Sequence, residues 1–436
     1  MFEEIRMSEH FFDVIIVGAG IAGCSCAITA ARAGLDVLLL EQADTPGKMN
    51  MTGGRIYTHA LKKLLPDFAA TAPLQRGVCR ERISVLTKDA ASTLEYFNDR
   101  SSCADTPSAS CTVLRKSFDP WLAGEAEKAG AKLLLSQRVN ELLKKGETIC
   151  GVKTGTDAFH GNVVILAEGA SSLLGQKADL VKKHEPADYA TGAKEVIRLG
   201  AEVINERFNC KDGEGVAWLF LGYPSTGQMG GGFLYTNKDS LSLGMVLGMK
   251  DAKESNTSVL QMLADFKKHP LIQPLIRDGE TVSRSGHMVP EGGYNAIPEL
   301  VDNGVLIVGD AASLCLNLGY TVRGMDLAIL SGMAAANTVI HAKEADNYSR
   351  ESLWSYYDEL ERENILPDMK VYKHIPDFMH NKRIFTTYPH VVNNFMQDLF
   401  AVESGSEPAW KKISRYVQKA GLLNIMKDVW SGIKSF

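Results

Sequence analysis

Three patterns that would assign a chain to a familiar class are absent from this sequence. No run of about 18 consecutive apolar residues occurs, so we expect no membrane-spanning helix. The net charge is −5 over 436 residues, which leaves no basic excess to bind nucleic acid. The N-terminal stretch MFEEIRMSEHFF carries acidic residues and no long apolar segment, so it does not resemble a signal peptide. The length is enough for two or three domains.

The cysteines also form no recognisable site. The sequence has eight, at positions 24, 26, 79, 103, 111, 150, 210 and 315. None belongs to a CxxC pair or has the spacing of zinc or iron–sulfur ligands, so no metal site is predicted. Because scattered cysteines without an export signal suit a reducing compartment, we expect a cytoplasmic protein.

What the sequence does contain is the start of a dinucleotide-binding fold. An apolar run at 14–17 leads into three glycines, Gly18, Gly20 and Gly23. A helix pattern of small residues follows at 24–33, and a second apolar run at 37–40 ends in the acid Glu41. The first glycine allows a tight turn, the second lets backbone touch a pyrophosphate, and the third lets helix and strand approach. The helix N-terminus attracts phosphates, and the acid can accept hydrogen bonds from a ribose diol. This segment alone does not separate NAD from FAD.

A second glycine-rich segment favours FAD. Gly309 and Asp310 follow another buried strand, 305–308, where an aspartate can bind a sugar-alcohol hydroxyl by a charge-assisted hydrogen bond. A helix predicted to begin near Gly324 and Met325 would aim backbone N–H groups at the pyrimidine edge of a flavin. Such donors stabilise the negative charge of the reduced ring.

Two further segments agree with a flavin. Arg115 lies just before a helix predicted over 117–129, where its guanidinium can hold a phosphate or the flavin-side polyol. Gly53 and Gly54 would let the chain pass close to a flat ring. No second GxGxxG follows a mid-chain strand, so we expect one bound dinucleotide. A transient NAD(P)H site without such a unit stays open.

The order of these motifs resembles a known flavoprotein superfamily. The sequence resembles the FAD fold of the hydroxylase and geranylgeranyl-reductase superfamily. The motifs that carry the resemblance are, in order, GxGxxG, R-x-x-F-D, A-E-G ending at Gly169, and G-D-A-A before a helix start. A closer resemblance is to the electron-transfer-flavoprotein:quinone oxidoreductases, in particular their shorter FixC-type branch. The segments that carry it are MTGGR at 51–55, MGGGFLY at 229–235, MVPEGG at 288–293, CLNLG at 315–319 and RGMD at 323–326.

The resemblance implies an α/β fold with three parts. These are a glutathione-reductase-type FAD-binding Rossmann domain, an inserted antiparallel-sheet domain and a helical C-terminal region. The expected bounds are 11–78, 112–185 and 285–345 for the FAD-binding domain, 79–111 and 186–284 for the sheet domain, and 346–436 for the helical region. The predicted FAD-binding residues are Gly18, Gly20, Gly23, Glu41, Gly53, Gly54, Arg55, Arg115, Gly169, Gly309, Asp310, Gly324 and Met325.

The resemblance also implies partners. The family takes electrons from reduced electron transfer flavoprotein and passes them to quinone. Its long members end in a domain that holds a [4Fe–4S] cluster on four cysteines, whereas the last cysteine here is Cys315. FixC-type members share this feature and are paired with a small ferredoxin-like protein. We therefore expect such a partner, and direct quinone reduction by this chain alone is uncertain.

No catalytic constellation stands out, so catalytic residues stay unassigned. His287 and Glu291 fall near the expected ring, but a structural histidine is the more frequent case, and Tyr235 fits sheet packing. Two other functions stay open. One is an FAD enzyme that reduces isoprenoid double bonds, and the other is a non-catalytic flavin-binding subunit.

The C-terminal residues 409–436 form a basic amphipathic pattern. Six basic residues accompany one acid, Asp428, and apolar residues from Leu422 to Ile433 recur at helical spacing. Such a helix with tryptophan can lie on a lipid interface, here the inner face of the membrane. The alternatives are a helix docked on the protein body with solvated lysines, or a docking face for an acidic ferredoxin-like partner.

Overall fold

The computed structural model describes residues 10–51, 54–99, 108–155, 157–183, 185–225, 227–402 and 407–435. The strands are β1 (Phe11–Val17), β2 (Val37–Leu40), β3 (Gly54–Tyr57), β4 (Leu74–Leu86), β5 (Ala91–Phe97), β6 (Ser110–Val113), β7 (Lys132–Leu134), β8 (Glu141–Lys145), β9 (Thr148–Lys153), β10 (Ala158–Leu166), β11 (Tyr189–Arg198), β12 (Glu214–Gly222), β13 (Gly230–Thr236), β14 (Ser240–Gly248), β15 (Glu280–Pro290), β16 (Val301–Asp302), β17 (Val305–Ile307), β18 (Leu316–Asn317) and β19 (Val322–Arg323).

The helices are α1 (Ile21–Arg32), α2 (Thr58–Leu64), α3 (Phe68–Thr71), α4 (Arg115–Ala129), α5 (Leu173–Lys177), α6 (Ala201–Phe208), α7 (Met249–Glu254), α8 (Val259–Lys268), α9 (Gln273–Ile276), α10 (Met325–Glu344), α11 (Arg350–Leu353), α12 (Ser355–Arg362), α13 (Ile365–Val371), α14 (Ile375–Met379), α15 (Lys382–Phe385), α16 (Thr387–Phe400), α17 (Ala409–Ala420) and α18 (Leu422–Ser435). Short 3-10 turns occur at Gly293–Ala296 and Gly309–Ala312 among other places.

The first sheet has the order β16-β17-β10-β1-β2-β7, and β9 and β8 extend from β10. Its central strands run parallel, with Val14 opposite Val163 on one side and Val37 on the other. These strands are continuous apolar runs because both faces of a parallel sheet are covered. Val14, Val163 and Val37 are accordingly without solvent exposure.

Helices α1 and α10 pack closely against each other beside this sheet. A Cβ atom on Gly332 of α10 would lie only 2.2 Å from the carbonyl oxygen of Ala22. Helix α4 packs on α1. The N-termini of α1 and α10 therefore come to the same side of the molecule, next to the carboxyl ends of the parallel strands.

The second sheet has the order β15-β11-β14-β13-β12-β4-β6-β3, and β5 pairs with β4. It is antiparallel except for β4 and β12, which run parallel from Glu214 beside Gly77 to Gly222 beside Leu86. Its own hydrophobic core includes Trp218, Leu243 and Phe266. The sequence did not indicate the parallel pair, because a long crossover separates the two strands.

The strand pairing bears on the expected domain bounds. The boundaries at 78/79 and 284/285 fall inside β4 and β15, and β3 at 54–57 also joins the second sheet. The division into domains stays a prediction. From Arg350 onward most of the described residues are in helices, as the periodicity indicated. Within the described residues, no helix combines the length and apolar character needed to cross a membrane.

Candidate functional site

A large cavity of about 1090 Å³ lies between the two sheets. One side is formed by the carboxyl ends of β1, β2 and β10 with the N-termini of α1 and α10, and the other by the inner face of β11 to β15. Ligands of open α/β sheets bind outside the carboxyl ends of the strands. The volume lies slightly above ~300–1,000 Å³, the range typical of small-molecule sites.

Most of the predicted cofactor-binding residues meet at this cavity. Those on its wall are Gly18, Gly20, Glu41, Gly54, Arg55, Arg115, Gly169, Asp310, Gly324 and Met325. Gly53 lies outside the described residues. The structure does not bring Gly23 or Gly309 to the wall. A Cβ on Gly23 would lie 1.9 Å from the oxygen of Gly18, and one on Gly309 would lie 2.9 Å from Cβ of Ala22, so both allow close packing on or around α1.

The turn between β1 and α1 has the shape that an anion site requires. Gly18 has φ +107°, and a Cβ there would lie 2.4 Å from the oxygen of Ala167. Gly20 faces open space, since its Cβ would meet nothing within 4 Å. No described side chain caps the N-terminus of α1. The N–H groups of its first turn and the positive end of the helix dipole are therefore available to a phosphate in the cavity.

Glu41 is held in place at the end of β2. Its Oε2 accepts a hydrogen bond from the N–H of Ala19 at 3.0 Å, and its Oε1 accepts one from the N–H of Ala43 at 2.9 Å. The residue is 9% exposed, and it lines the cavity. Each carboxylate oxygen keeps a second acceptor position, which suits two neighbouring hydroxyl groups of a ribose.

Arg115 and Asp310 also lie on the wall, near enough for their charges to interact. Arg115 is the first residue of α4, and its guanidinium binds Asp119 through two hydrogen bonds, Nε–Oδ1 at 2.5 Å and Nη2–Oδ2 at 2.7 Å. This ion pair orients the guanidinium of Arg115, and its Nη1 atom does not bond to Asp119. Burial raises the pKa of Asp310, whereas the nearby charges of Arg115 and His287 lower it.

The N-terminus of α10 forms a second uncapped helix end. Gly324 and Met325 line the cavity, and no described side chain caps the helix. A Cβ on Gly54 would lie 3.2 Å from Cε of Met325, which places β3 beside this helix end. Arg323 pairs with Asp326 at 2.7 Å, beside the first turn. The backbone N–H groups at this helix end would favour a bound group that carries negative charge.

Arg55 and Gly169 lie on separate parts of the wall. Arg55 on β3 donates to Oγ of Ser110 at 2.9 Å and pairs with Glu81. Its guanidinium lies over the ring of Tyr57, 4.6 Å from the centroid. Gly169 follows β10 with φ +73° and open space around it, so the turn leaves room at the cavity.

Several cavity residues were not singled out from the sequence. Lys194 on β11 is 2% exposed, and burial together with the charge of Arg115 holds its pKa well below the usual range. Phe233 and Asn317 also line the wall. The signal for Lys194 was present, because it is a cation in the middle of the otherwise largely apolar strand YATGAKEVIR. The others depend on contacts that bring distant segments together.

Three residues considered in the sequence also reach this cavity. Tyr235, His287 and Glu291 all line it. Burial raises the pKa of Tyr235 to about 12 and lowers that of His287. These two groups are therefore uncharged at neutral pH, and they make this part of the cavity a polar but low-charge environment.

The donor set of the cavity fits a flavin dinucleotide. The wall offers two uncapped helix ends, at Gly20 and Gly324, an oriented carboxylate at Glu41, and an elongated space that both sheets enclose. A pyrophosphate, a ribose and an electron-rich ring would each find a matching group. The fold and the cavity define an FAD-dependent oxidoreductase, and comparison with known proteins agrees, since residues 13–175 match the FAD dependent oxidoreductase family.

The chain belongs to the electron transfer flavoprotein–quinone oxidoreductase/FixC family. Residues 189–289 match the family segment described as ETF-QO, ubiquinone-binding, and residues 375–436 match the ETF-QO/FixC family C-terminal domain. YdiS of Escherichia coli strain K12, described as a probable electron transfer flavoprotein-quinone oxidoreductase, is 50% identical over 98% of this chain and 99% of its own length. Protein FixC of Salmonella typhimurium strain LT2 is 46% identical, with the same shares of both chains.

Solved structures support the same fold at much lower identity. A geranylgeranyl bacteriochlorophyll reductase-like protein from Thermoplasma acidophilum aligns with a TM-score of 0.72 and 19% identity, covering 96% of this chain and 98% of that one. The myxobacterial halogenase CndH aligns with a TM-score of 0.64 and 16% identity, covering 94% and 97%. The predicted fold class, the FAD cofactor and the oxidoreductase assignment are confirmed. The chain is an FAD-dependent electron-transfer oxidoreductase.

Proposed function

We propose that this chain accepts electrons from a reduced electron transfer flavoprotein and passes them to quinone, together with a separate ferredoxin-like protein. The end-to-end similarity to YdiS carries this proposal, because it covers both sheets and the C-terminal helices at 50% identity. The segment matched to the ubiquinone-binding description supports the acceptor. That segment supplies Met229 to Phe233 to the cavity wall.

We assign the two ends of the cavity to the two halves of FAD. Gly18, Gly20 and Glu41 hold the ADP half, and Gly23 closes the packing behind them. The remaining predicted residues on the wall hold the flavin half: Gly54, Arg55, Arg115, Gly169, Asp310, Gly324 and Met325. Gly309, like Gly23, allows close packing, and a role for Gly53 stays a prediction. When bound, FAD supplies a ring that takes up two electrons and releases them singly. The N-terminus of α10 stabilises the negative charge of the reduced ring.

The proposed ferredoxin-like partner follows from the ligands available. Among the described residues, no three His, Cys, Asp or Glu side chains are grouped so that they could hold a metal ion. None of the described cysteines forms a disulfide, and Cys24, Cys26 and Cys315 are buried. An iron–sulfur cluster that takes part in the electron transfer would therefore come from a second protein.

Anaerobic reduction of the FAD-loaded protein tests the donor. We expect reduced electron transfer flavoprotein to bleach the visible absorbance of the bound flavin, and a short-chain quinone with the ferredoxin-like protein to restore it. An unrelated reduced flavoprotein serves as the donor control. Reduction only by ferredoxin or NAD(P)H, followed by reoxidation with an isoprenoid, would instead favour the double-bond reductase. If no donor reduces the flavin, the chain is a flavin-binding subunit.

We also propose that α17 and α18 lie on the inner face of the membrane. Their exposed side includes Trp410, Leu423, Trp430 and Ile433, which are 61% to 81% exposed. The single acid of this region, Asp428, is buried in contact with Arg383, so it does not oppose the lysines of the exposed side. A surface of lysine and tryptophan suits anionic lipid headgroups.

Vesicle flotation tests the membrane proposal. We expect the protein to float with anionic vesicles and Trp430→Glu to float at least tenfold less. Leu260→Glu, which changes an equally exposed apolar residue on α8, is the matched control and should float like the parent protein. Equal flotation of the parent and Trp430→Glu would contradict the proposal. The exposed side of α17 and α18 would then be a docking surface for a partner or a solvated surface.

A further inference from the structure

Glu291 is a carboxyl group of the cavity wall that no assigned role uses. Glu291 directly follows β15 and lines the cavity wall. Its backbone N–H donates to the oxygen of Asp188 at 2.7 Å, which fixes its position. The residue is part-buried, and its carboxyl group faces the same space as His287 and Cys315.

A neutral amide, not a cation, holds this carboxyl group. Asn317 on β18 donates through Nδ2 to Oε2 of Glu291 at 3.0 Å and, more weakly, to Oε1 at 3.3 Å. The orientation of the amide is set from its other end, because Oδ1 of Asn317 accepts the N–H of Gly319 at 2.9 Å. This chain of bonds points an NH₂ group at Glu291 and leaves acceptor positions on the carboxyl group free for a ligand or a proton.

The charge environment keeps this group close to the point of ionisation. Burial raises the pKa of Glu291 to about 7, and the hydrogen bond from Asn317 partly opposes the rise. The titratable and charged groups on the elements around it are Asp188, His287, Asp310, Cys315, Asp326 and Arg323. The cation among them, Arg323 on β19, pairs with Asp326 and Asp368. Glu195 on β11 shows the contrast, because Lys267 and Arg284 pair with it and lower its pKa. A carboxyl group without such a cation can hold and release a proton at neutral pH.

Quinone reduction creates a need for such a group. A quinone becomes a quinol by taking two electrons and two protons. When bound, reduced FAD that carries one proton would supply both electrons and that proton, so one further proton would have to reach the quinone oxygen. A carboxyl group on the cavity wall can supply it.

We infer that Glu291 is the proton donor for this second proton, and that Asn317 positions it. The O–H bond of the Glu291 carboxyl breaks as an O–H bond to the quinone oxygen forms, which leaves a carboxylate that water reprotonates. This inference rests on the proposed quinone acceptor. It identifies a function for Glu291 apart from holding the cofactor.

Acceptors that differ in proton demand test the inference. Glu291→Gln keeps the shape and the contact with Asn317 but cannot release a proton. We expect it to slow reoxidation of the flavin by a short-chain quinone by roughly 10²-fold. Reoxidation by ferricenium, which takes one electron and no proton, should be unchanged. Glu291→Asp should retain part of the quinone rate because it keeps a carboxyl group.

The pH profile separates proton donation from a structural role. The acid form is the active form, so the quinone rate of the parent protein should fall as the pH rises through about 7. Asn317→Ala removes the hydrogen bond that lowers the pKa of Glu291, so the fall in the quinone rate should move to higher pH. In Glu291→Gln the quinone rate should no longer fall in this pH range. In the FAD-free protein, the infrared carbonyl band of a protonated carboxyl group should titrate in the same range and be absent in Glu291→Gln.

Two results would overturn the role of Glu291. One is an unchanged quinone rate in Glu291→Gln, and the other is an equal loss with quinone and ferricenium. Failure of the proposed function looks different. In that case the parent protein would reduce ferricenium but no quinone, while the infrared band would still report a group that exchanges its proton near neutral pH.

Discussion

At the residue scale, three glycines of one motif meet three different physical demands. Gly18 has a positive φ and touches the β10 turn, and Gly23 brings α1 onto the backbone of the preceding turn. Gly20 has φ −79°, which any residue adopts, and open space beside it. The fold therefore does not require glycine here, and we attribute the lack of a side chain to the proposed contact with a phosphate.

Gly20→Ala should separate cofactor binding from stability. We expect its FAD-free form to unfold within about 1 kcal/mol of the parent protein. The new Cβ meets no protein atom, and the only cost is that alanine is a poorer N-cap than glycine. FAD affinity should fall at least tenfold, as measured by titration of the FAD-free protein. Gly124→Ala on α4, where a Cβ also meets nothing, should bind FAD like the parent. Equal FAD affinity of Gly20→Ala and the parent would contradict the phosphate assignment.

At the scale of elements, a single buried acid anchors the last helix. Asp428 on α18 accepts two hydrogen bonds from Arg383, at 2.7 and 2.5 Å, and one from the hydroxyl of Tyr388. These donors hold the pKa of Asp428 far below its usual range. The apolar side of α18 is exposed, so this polar anchor, together with its packing on α14 and α17, keeps the helix on the protein body.

Asp428→Asn should release α18 and leave the cofactor site intact. We expect faster hydrogen exchange across 422–435, measured by mass spectrometry, and unchanged FAD affinity. Asp265→Asn, which alters an acid on α8, is the control. Because the folded pKa is depressed, the anchor is complete above the pKa of an unfolded aspartate, about 3.9. It weakens only as the pH falls below that value. Unchanged exchange in Asp428→Asn would show that apolar contacts hold the helix.

At the scale of the whole molecule, the cavity joins two separate hydrophobic cores. One core surrounds the first sheet and the other includes Trp218 and Phe266. The cavity wall takes residues from both sheets, and β4 and β15 cross the expected domain bounds. A ligand in this space therefore contacts both halves at once.

FAD removal should destabilise both halves together. A ligand that binds only the folded state stabilises it by ~2.7 kcal/mol at a free concentration of 100 times its Kd. We expect calorimetry to show one transition that shifts upward with FAD concentration. Trp218 fluorescence, which reports the second sheet, should shift by the same amount as the whole transition. A shift confined to the first sheet would contradict a cavity shared by both.

The sequence predicted those parts of the site whose residues lie close together along the chain. Gly18, Gly20 and Glu41 belong to one continuous strand–helix–strand segment, so local periodicity and glycine spacing were enough to assign them. Lys194 and the pairing of Glu291 with Asn317 depend on strands that meet only after folding. The parallel pairing of β4 with β12 was missed for the same reason.

Local pattern alone thus predicted a dinucleotide fold and a flavin, because neighbouring residues specify turns, helix starts and buried strands. Folding decided which side chains share the cavity with that nucleotide. It brought Arg115 near Asp310, it buried Asp428, and it placed Glu291 beside the amide of Asn317. Charge state depends on such non-local neighbours and on loss of water, and neither is encoded in the order of adjacent residues.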